Sequence, residues 1–300
     1  MSKKEDAQHL EAMFAFLDSD HGSRAAGEYI HPPLNYMGNK CGQLDWILPL
    51  LPWHETYVEV FGGSGAVLLS KAASKLEVFN DRFSGTVALY QCIQDDELLR
   101  QLTEKVQLLP HSREYFAWCR DTWETEDDVV MRALKYYYLV QASFAGRAEM
   151  FGRVVNNHNN IPNKLRVGLP LFPAVHRRLQ GVQIENLDWQ QCVEDFDGPD
   201  VLFYLDPPYY GRDVYGTGFT KKDHIEMCER IFSTEGAVVL SGYENPIYDQ
   251  FPWDGVHMND QVDNRVTARA FDKNNNMEDR QGTMERGVRK EFLWIKEAYE

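Results

Sequence analysis

The run TYVEVF at residues 56–61 closes on the glycines of GGSG and opens into AVLLSKAA. A β-rich apolar stretch that ends in clustered glycines and passes into a helical pattern has few folding options. It predicts a strand, a turn free of Cβ atoms, and a helix. The alternation resumes downstream: LEVFN (76–80), VQIEN (182–186), VLFYL (201–205), AVVLS (237–241) and the closing KEFLWI read as strands, with a helical pattern near 221–232. Strands alternating with helices predict an α/β fold built on a mainly parallel, doubly wound sheet. Helical patterns over 84–94, 96–108, 112–123 and 127–144, then an Asn-, Gly-, Pro- and Arg-rich stretch at 145–178 expected to be loops, interrupt that alternation. The expected organisation is therefore a core domain of residues 31–92 and 181–300, an inserted domain of residues 93–180, and an N-terminal extension, residues 1–30, with no assigned chemistry.

Two features carry chemistry. In VEVFGGSG (58–65) the glycines allow main-chain N–H groups to approach a ligand, and Asp81 follows Gly65 by sixteen residues at the end of the next strand. A carboxylate there can accept the hydroxyls of a bound ribose. The pairing alone leaves open a nicotinamide enzyme, a flavoprotein, a methyl-donor site or a tight turn. No Gly-Lys-Ser/Thr follows, so a Walker loop is not indicated. The second feature, VLFYLDPPYY (201–210), delivers Asp206 to the carboxyl end of an apolar strand, where open α/β sheets place ligands. Pro207 and Pro208 remove two N–H donors and leave carbonyls, and Tyr209 adds a flat aromatic surface. This suits an exocyclic aromatic amine as acceptor in a group transfer. Such a lone pair is delocalised into its ring. Asp206 and the Pro207 carbonyl, both accepting from the amino hydrogens, would favour the pyramidal form and expose it, which requires close placement rather than a metal. Tyr209 would stack on the ring.

A net charge of −15 at first opposes a polyanionic partner. Its distribution matters more. Between Ser143 and Arg178 lie Arg147, Arg153, Lys164, Arg166, Arg177 and Arg178 against Glu149 alone; between Asn264 and Lys290 lie seven Lys/Arg against four acids. Segregated charge of this kind can hold nucleic acid on one face, although such runs also occur simply as solvated surface. The five cysteines lack zinc or CxxC spacing, and the nine histidines lack triad or metal spacing, so reduced thiols and no metal are expected. No apolar run reaches the roughly 18 residues of a membrane helix, and no signal sequence is evident. A cytoplasmic protein is expected.

Four segments in this order, LNYMGNK (34–40), VEVFGGSG, NDR (80–82) and DPPY, resemble the DNA adenine methylase (Dam-like, D12-class) family of N6-adenine methyltransferases. The resemblance runs over roughly residues 33–295 and is weakest between about 95 and 180. It implies a Rossmann-like, seven-stranded S-adenosylmethionine-dependent methyltransferase fold with an inserted, mainly helical target-recognition domain, acting on double-stranded DNA. It further implies that Tyr36, Met37, Gly38 and Lys40, with Phe61, Gly63, Ser64 and Gly65, line the methyl-donor pocket. By the same resemblance Asp81 holds the ribose, and Asp206 meets both donor and amine. The stretch YLVQASFAGRAEMFGR (138–153) is similar to the family's recognition segment. It makes Phe144 a candidate for stacking in the duplex, and Arg147 and Arg153 candidates for base-edge or phosphate contacts; a buried Phe144 and two solvated arginines are the alternative. Ala145 stands where the family usually has asparagine, a following Phe-Asn-Val-Pro is missing, and Val60 replaces a frequent proline. The DNA sequence read by relatives is therefore not carried over.

Related enzymes acting on cytosine N4 usually carry Ser at the Asp206 position, and those acting on protein glutamine or ribosomal RNA adenine carry Asn. Asp206 thus favours adenine in DNA, with another amine, or an inactive DNA-binding protein of the same fold, as the alternatives. Asp188 can approach the donor's adenine or cap a helix. Tyr136, Tyr137 and Tyr138 can pack a helix or form a stacking ladder.

Overall fold

A computed structural model of the chain describes residues 29–34, 36, 38–143, 146, 148–152, 164–210, 218–259 and 290–299. Seven strands form one sheet: β1 (Thr56–Glu59), β2 (Leu76–Asn80), β3 (Val182–Glu185), β4 (Val201–Leu205), β5 (Ala237–Tyr243), β6 (Gly255–Asn259) and β7 (Glu291–Lys296). Their order is β3-β2-β1-β4-β5-β7-β6. The first five are parallel, and β7 lies antiparallel to both β5 and β6. This is the expected seven-stranded methyltransferase sheet. From β1 the chain moves one way to β2 and later returns on the other side as β4, so the strand order reverses between β1 and β4. That crevice is where such sheets bind ligands.

Side-chain alternation builds a core on each face. Tyr57, Phe79, Leu202, Tyr204 and Val239 point to one face, and Val58, Val78, Phe203, Leu205 and Val238 to the other. The first face is covered by helices Ser84–Gln94, Asp96–Gln107, Arg113–Thr122, Val129–Ala142 and Phe172–Leu179, the second by Trp189–Phe196 and Lys221–Ile231. The helices between β2 and β3 therefore share one continuous core with the sheet. Tyr136, Tyr137 and Tyr138 are all buried there. Their hydroxyls are satisfied by Thr86, by the Leu165 carbonyl and by the Ser112 carbonyl, so these tyrosines pack a helix and form no stacking ladder.

Two elements were not anticipated, and a third, Trp189–Phe196, only as the helix that Asp188 could cap. Phe172–Leu179 is a helix inside the stretch expected to be loops. Pro173 sits in its first turn, where a missing N–H costs nothing, and His176, Arg177 and Arg178 sit in its last turn, where cations meet the carbonyl end of the dipole. Trp189–Phe196 is a helix behind Asp188. Edge strand β6 has only partial burial, alternating half-buried and exposed, and so lacks an apolar run. The basic stretch 143–178 also changes meaning. Arg178 is buried against Glu77, and Arg166 donates to the carbonyls of Gln107 and Leu109 at the end of a helix. Both charges are engaged within the fold.

Candidate active site

The register places the sequence motifs side by side. Glu59 at the end of β1 pairs with Phe79 of β2 and with Tyr204 of β4, so the loop after β1, Asp81 and Asp206 emerge together at one sheet edge. Main-chain bonds continue past the strands: Val60 donates to the Tyr204 carbonyl at 3.0 Å and Gly62 to the Asn80 carbonyl at 2.7 Å. The turn requires glycine. A Cβ on Gly62 would lie 2.3 Å from the Phe79 ring, and Gly63 and Gly65 have φ of +51° and +64°. Gly65 then precedes the helix Ala66–Ser70. Tyr36 lies against Gly63, 3.2 Å from where a Cβ would stand. Phe61 meets Phe219 edge to face at 6.0 Å, and Ser64 is buried with its carbonyl accepting from Tyr90. The N-terminal segment and the glycine loop thus form one wall.

Asp81 is buried at the rim of that wall. Its Oδ2 accepts from the Gly63 N–H at 2.5 Å and its Oδ1 from the Phe83 N–H at 2.7 Å. Burial pushes its carboxyl up to about 6, against the pull of those two donors. Asn186 and Leu187 hold the neighbouring loop to Asp81 and Asn80. Asp188 beside them is exposed and accepts from the Gln190 N–H at 3.1 Å, capping the helix that follows.

At the Asp-Pro-Pro-Tyr corner, Lys40 reaches in from the N-terminal segment. Its Nζ donates to Asp206 Oδ2 at 2.5 Å and to the Tyr209 hydroxyl at 2.7 Å, with a longer contact to the Gly38 carbonyl. Gly38 itself is exposed, with φ +78°. Lys40 is therefore a direct partner of both Asp206 and Tyr209. The Tyr209 hydroxyl in turn donates to Glu291 on β7, and its ring meets Tyr243 edge to face at 4.5 Å. Burial pushes the Lys40 ammonium down, but Asp206 and Glu291 outweigh it and hold the group above its ordinary value. Burial pushes the Asp206 carboxyl up; Lys40 opposes, Glu291 adds to the rise, and the net direction is upward. Burial and the two carboxylates also keep the Tyr209 phenol protonated. Asp206 Oδ1 is buried and has no hydrogen-bond partner among the described residues.

The structure brings together Tyr36, Lys40, Phe61, Gly63, Ser64, Gly65, Asp81, Asp206 and Tyr209, with Pro207 buried and Pro208 partly buried between the last two. Met37, Phe144, Arg147 and Arg153 lie outside the described residues. Glu291 was missed from sequence. Its only signal is a carboxylate at the head of an otherwise apolar strand. Among the described residues no group of His, Cys, Asp and Glu could hold a metal ion, and no helix is long and apolar enough to cross a membrane.

Residues 36–248 match the model of the D12 class N6 adenine-specific DNA methyltransferases, and the chain belongs to that family. It is also similar to the modification methylase StsI of Streptococcus sanguinis, 28% identical over 193 residues, which is 61% of this chain. The match spans only 29% of that relative's length.

Proposed function

We propose that this chain is a site-specific DNA methyltransferase that moves a methyl group from S-adenosylmethionine to the N6 amino group of an adenine turned out of the double helix. The observation that carries the reading is the unequal use of the Asp206 carboxylate: Oδ2 is fixed by Lys40, and Oδ1 is buried without a partner among the described residues. A buried acceptor left open is costly unless a ligand donor completes it. An adenine amino group supplies such a donor, and accepting from it raises the electron density on nitrogen.

The residues present fit the methyl donor. The glycine turn leaves a cradle that a Cβ would fill, and Asp81 at its rim can accept ribose hydroxyls with the lone pairs its two N–H partners leave over. Tyr36, Phe61, Gly63, Ser64 and Gly65 would wall it; Gly38 stands near that wall, and Asp188, capping a helix, stands beside the Asp81 loop. When bound, S-adenosylmethionine supplies an electrophilic methyl group on a sulfonium. The chain's own work is positional: Asp206 orients the amine, Pro207 and Pro208 keep N–H donors away from it, and Tyr209 gives the base a ring to rest against. Reading of the DNA is assigned to residues 93–180. It is supported by the Ser143–Phe151 bridge, which sets the stacked His111 and Phe151 rings beneath Arg113 and next to the exposed Met150. The relative's name, a modification methylase, favours a restriction-modification setting inside a bacterial cell.

Purified protein, methyl-tritiated S-adenosylmethionine and unmethylated DNA, followed by digestion to nucleosides, should place the label in N6-methyladenine. Label in N4-methylcytosine, or no label across varied duplexes, rejects the proposal.

A further inference from the structure

Glu291 opens β7, where its register partners are Tyr243 of β5 and Asn259 of β6. The rest of β7 up to its last residue is Phe-Leu-Trp-Ile, and packing alone gives no reason for a carboxylate at a position 2% exposed. Burying such a charge is expensive unless it is compensated. The compensation comes from the Asp-Pro-Pro-Tyr corner. Glu291 Oε1 accepts from the Tyr209 hydroxyl, lies 3.5 Å from Ser241 Oγ, and stands 3.6 Å from Lys40 Nζ.

These contacts set a direction along the chain of bonds. Lys40 donates to the Tyr209 oxygen, and the Tyr209 hydroxyl donates its own hydrogen bond to Glu291. The Tyr209 hydroxyl is also within reach of the Asp206 carboxylate. Without an acceptor at Glu291 the phenol proton can turn to the Asp206 carboxylate. A bond there would occupy the carboxylate that the amine needs and would turn the ring.

We propose that Glu291 is a positioning residue for methyl transfer: by accepting the Tyr209 hydroxyl's hydrogen bond it fixes the plane of the Tyr209 ring and keeps Asp206 Oδ1 open for the acceptor amine. This rests on the adenine methyltransferase reading above. The β5 side of the corner supports the same geometry, since Tyr243 is both the register partner of Glu291 and the edge-on neighbour of the Tyr209 ring.

The test uses the full chain as Glu291→Ala, Glu291→Gln, Tyr209→Phe and the two double variants, with turnover on adenine-containing duplex DNA. Glu291→Ala should lower kcat by roughly 10- to 100-fold, the scale on which an ångström of misplacement acts, while KM for S-adenosylmethionine stays within about twofold. Glu291→Gln retains an acceptor oxygen and should recover most of that loss. In the Tyr209→Phe background neither Glu291 variant should slow the enzyme further. Equal losses in both backgrounds, or an unchanged kcat in Glu291→Ala, overturn the proposal. If Glu291→Ala does not fold, Glu291→Met, which fills the same space without an acceptor oxygen, takes its place in the cycle with Tyr209→Phe, because a purely structural Glu291 would show no coupling in kcat. A second readout separates this proposal from the functional reading: 3-fluorotyrosine placed at position 209 should shift its fluorine resonance in Glu291→Gln even if the wild-type protein labels no adenine. An unmoved resonance counts against Glu291; an unlabelled adenine counts against the reading.

Discussion

Two buried ion clusters sit at opposite ends of the sheet, and their chemistry is inverted. At the end where the parallel strands begin, Glu77 is gripped by two cations: Lys71 Nζ at 2.7 Å, and Arg178 through both terminal nitrogens at 2.5 and 2.8 Å. Lys71 also donates to the Ala72 carbonyl and to Ser74, and Arg178 to the Leu68 carbonyl. Apart from Arg178 Nε, every polar side-chain atom of this cluster has a partner. At the other end one cation, Lys40, serves two carboxylates, Asp206 and Glu291, and one carboxylate oxygen is left over. Burial works against both acids. At Glu77 the two cations prevail and hold the carboxyl below its ordinary value, whereas at Asp206 burial prevails and the carboxyl sits above it. A closed network of this kind rigidifies a fold. An open one, held at the C-terminal edge of β4, leaves an acceptor that a ligand's donor can complete.

The comparison breaks if the two clusters respond alike to truncation. Glu77→Ala leaves two buried cations without their carboxylate and should cost about 3–5 kcal/mol of stability, read by urea unfolding, with turnover per folded molecule unchanged. Asp206→Ala should do the reverse. Methyl transfer should fall by roughly 10²- to 10³-fold, or about 2.7–4 kcal/mol in the barrier, the scale found when one preorganised group is removed. Its urea midpoint should hold near the wild-type value, because Lys40 keeps Glu291 as a partner. Normal turnover by Asp206→Ala, or a stability loss matching that of Glu77→Ala, would remove the distinction.

What the sequence disclosed and what it hid follow the same division. Asp206 and the glycine turn were legible because each is a local event: an apolar run of strand length stopped by prolines or glycines at its carboxyl end. Asp81 followed from spacing, since one helix and one strand bring the chain back beside the turn. Glu291 was not legible, because it meets Tyr209 across 82 residues and only through the antiparallel return of β7. Lys40 was placed in the donor pocket by resemblance, whereas its bonds to Asp206 and Tyr209 join positions 166 and 169 apart in the chain. The basic run before β3 misled for a related reason. A count of charges cannot tell Arg178, folded inward onto Glu77, from an arginine facing solvent. The helix Phe172–Leu179 was hidden because the Pro that suits its first turn was read as a loop signal.

Asp81 is a third case between the two clusters, and pH sharpens it. It is buried like Glu77, yet it forms no ion pair among the described residues and relies on two main-chain N–H groups. Burial raises its carboxyl from 3.8 to about 6 in the folded protein. Between those values the folded chain keeps a proton that the unfolded chain has released, so the share of stability due to Asp81 is full below the lower value and declines as pH rises through the upper one. Donor binding should run the other way. Only the ionised form offers its lone pairs to two ribose hydroxyls, so affinity for S-adenosylmethionine should fall as pH drops through about 6, approaching tenfold per unit well below it. Calorimetric titration at several pH values should show this trend. Asp81→Asn should bind weakly and flatten it, with urea unfolding of the unliganded protein showing the opposite slope in the wild type alone. An affinity that stays level across the window in the wild type would mean that Asp81 serves the glycine turn, through Gly63, and leaves the ribose to other groups.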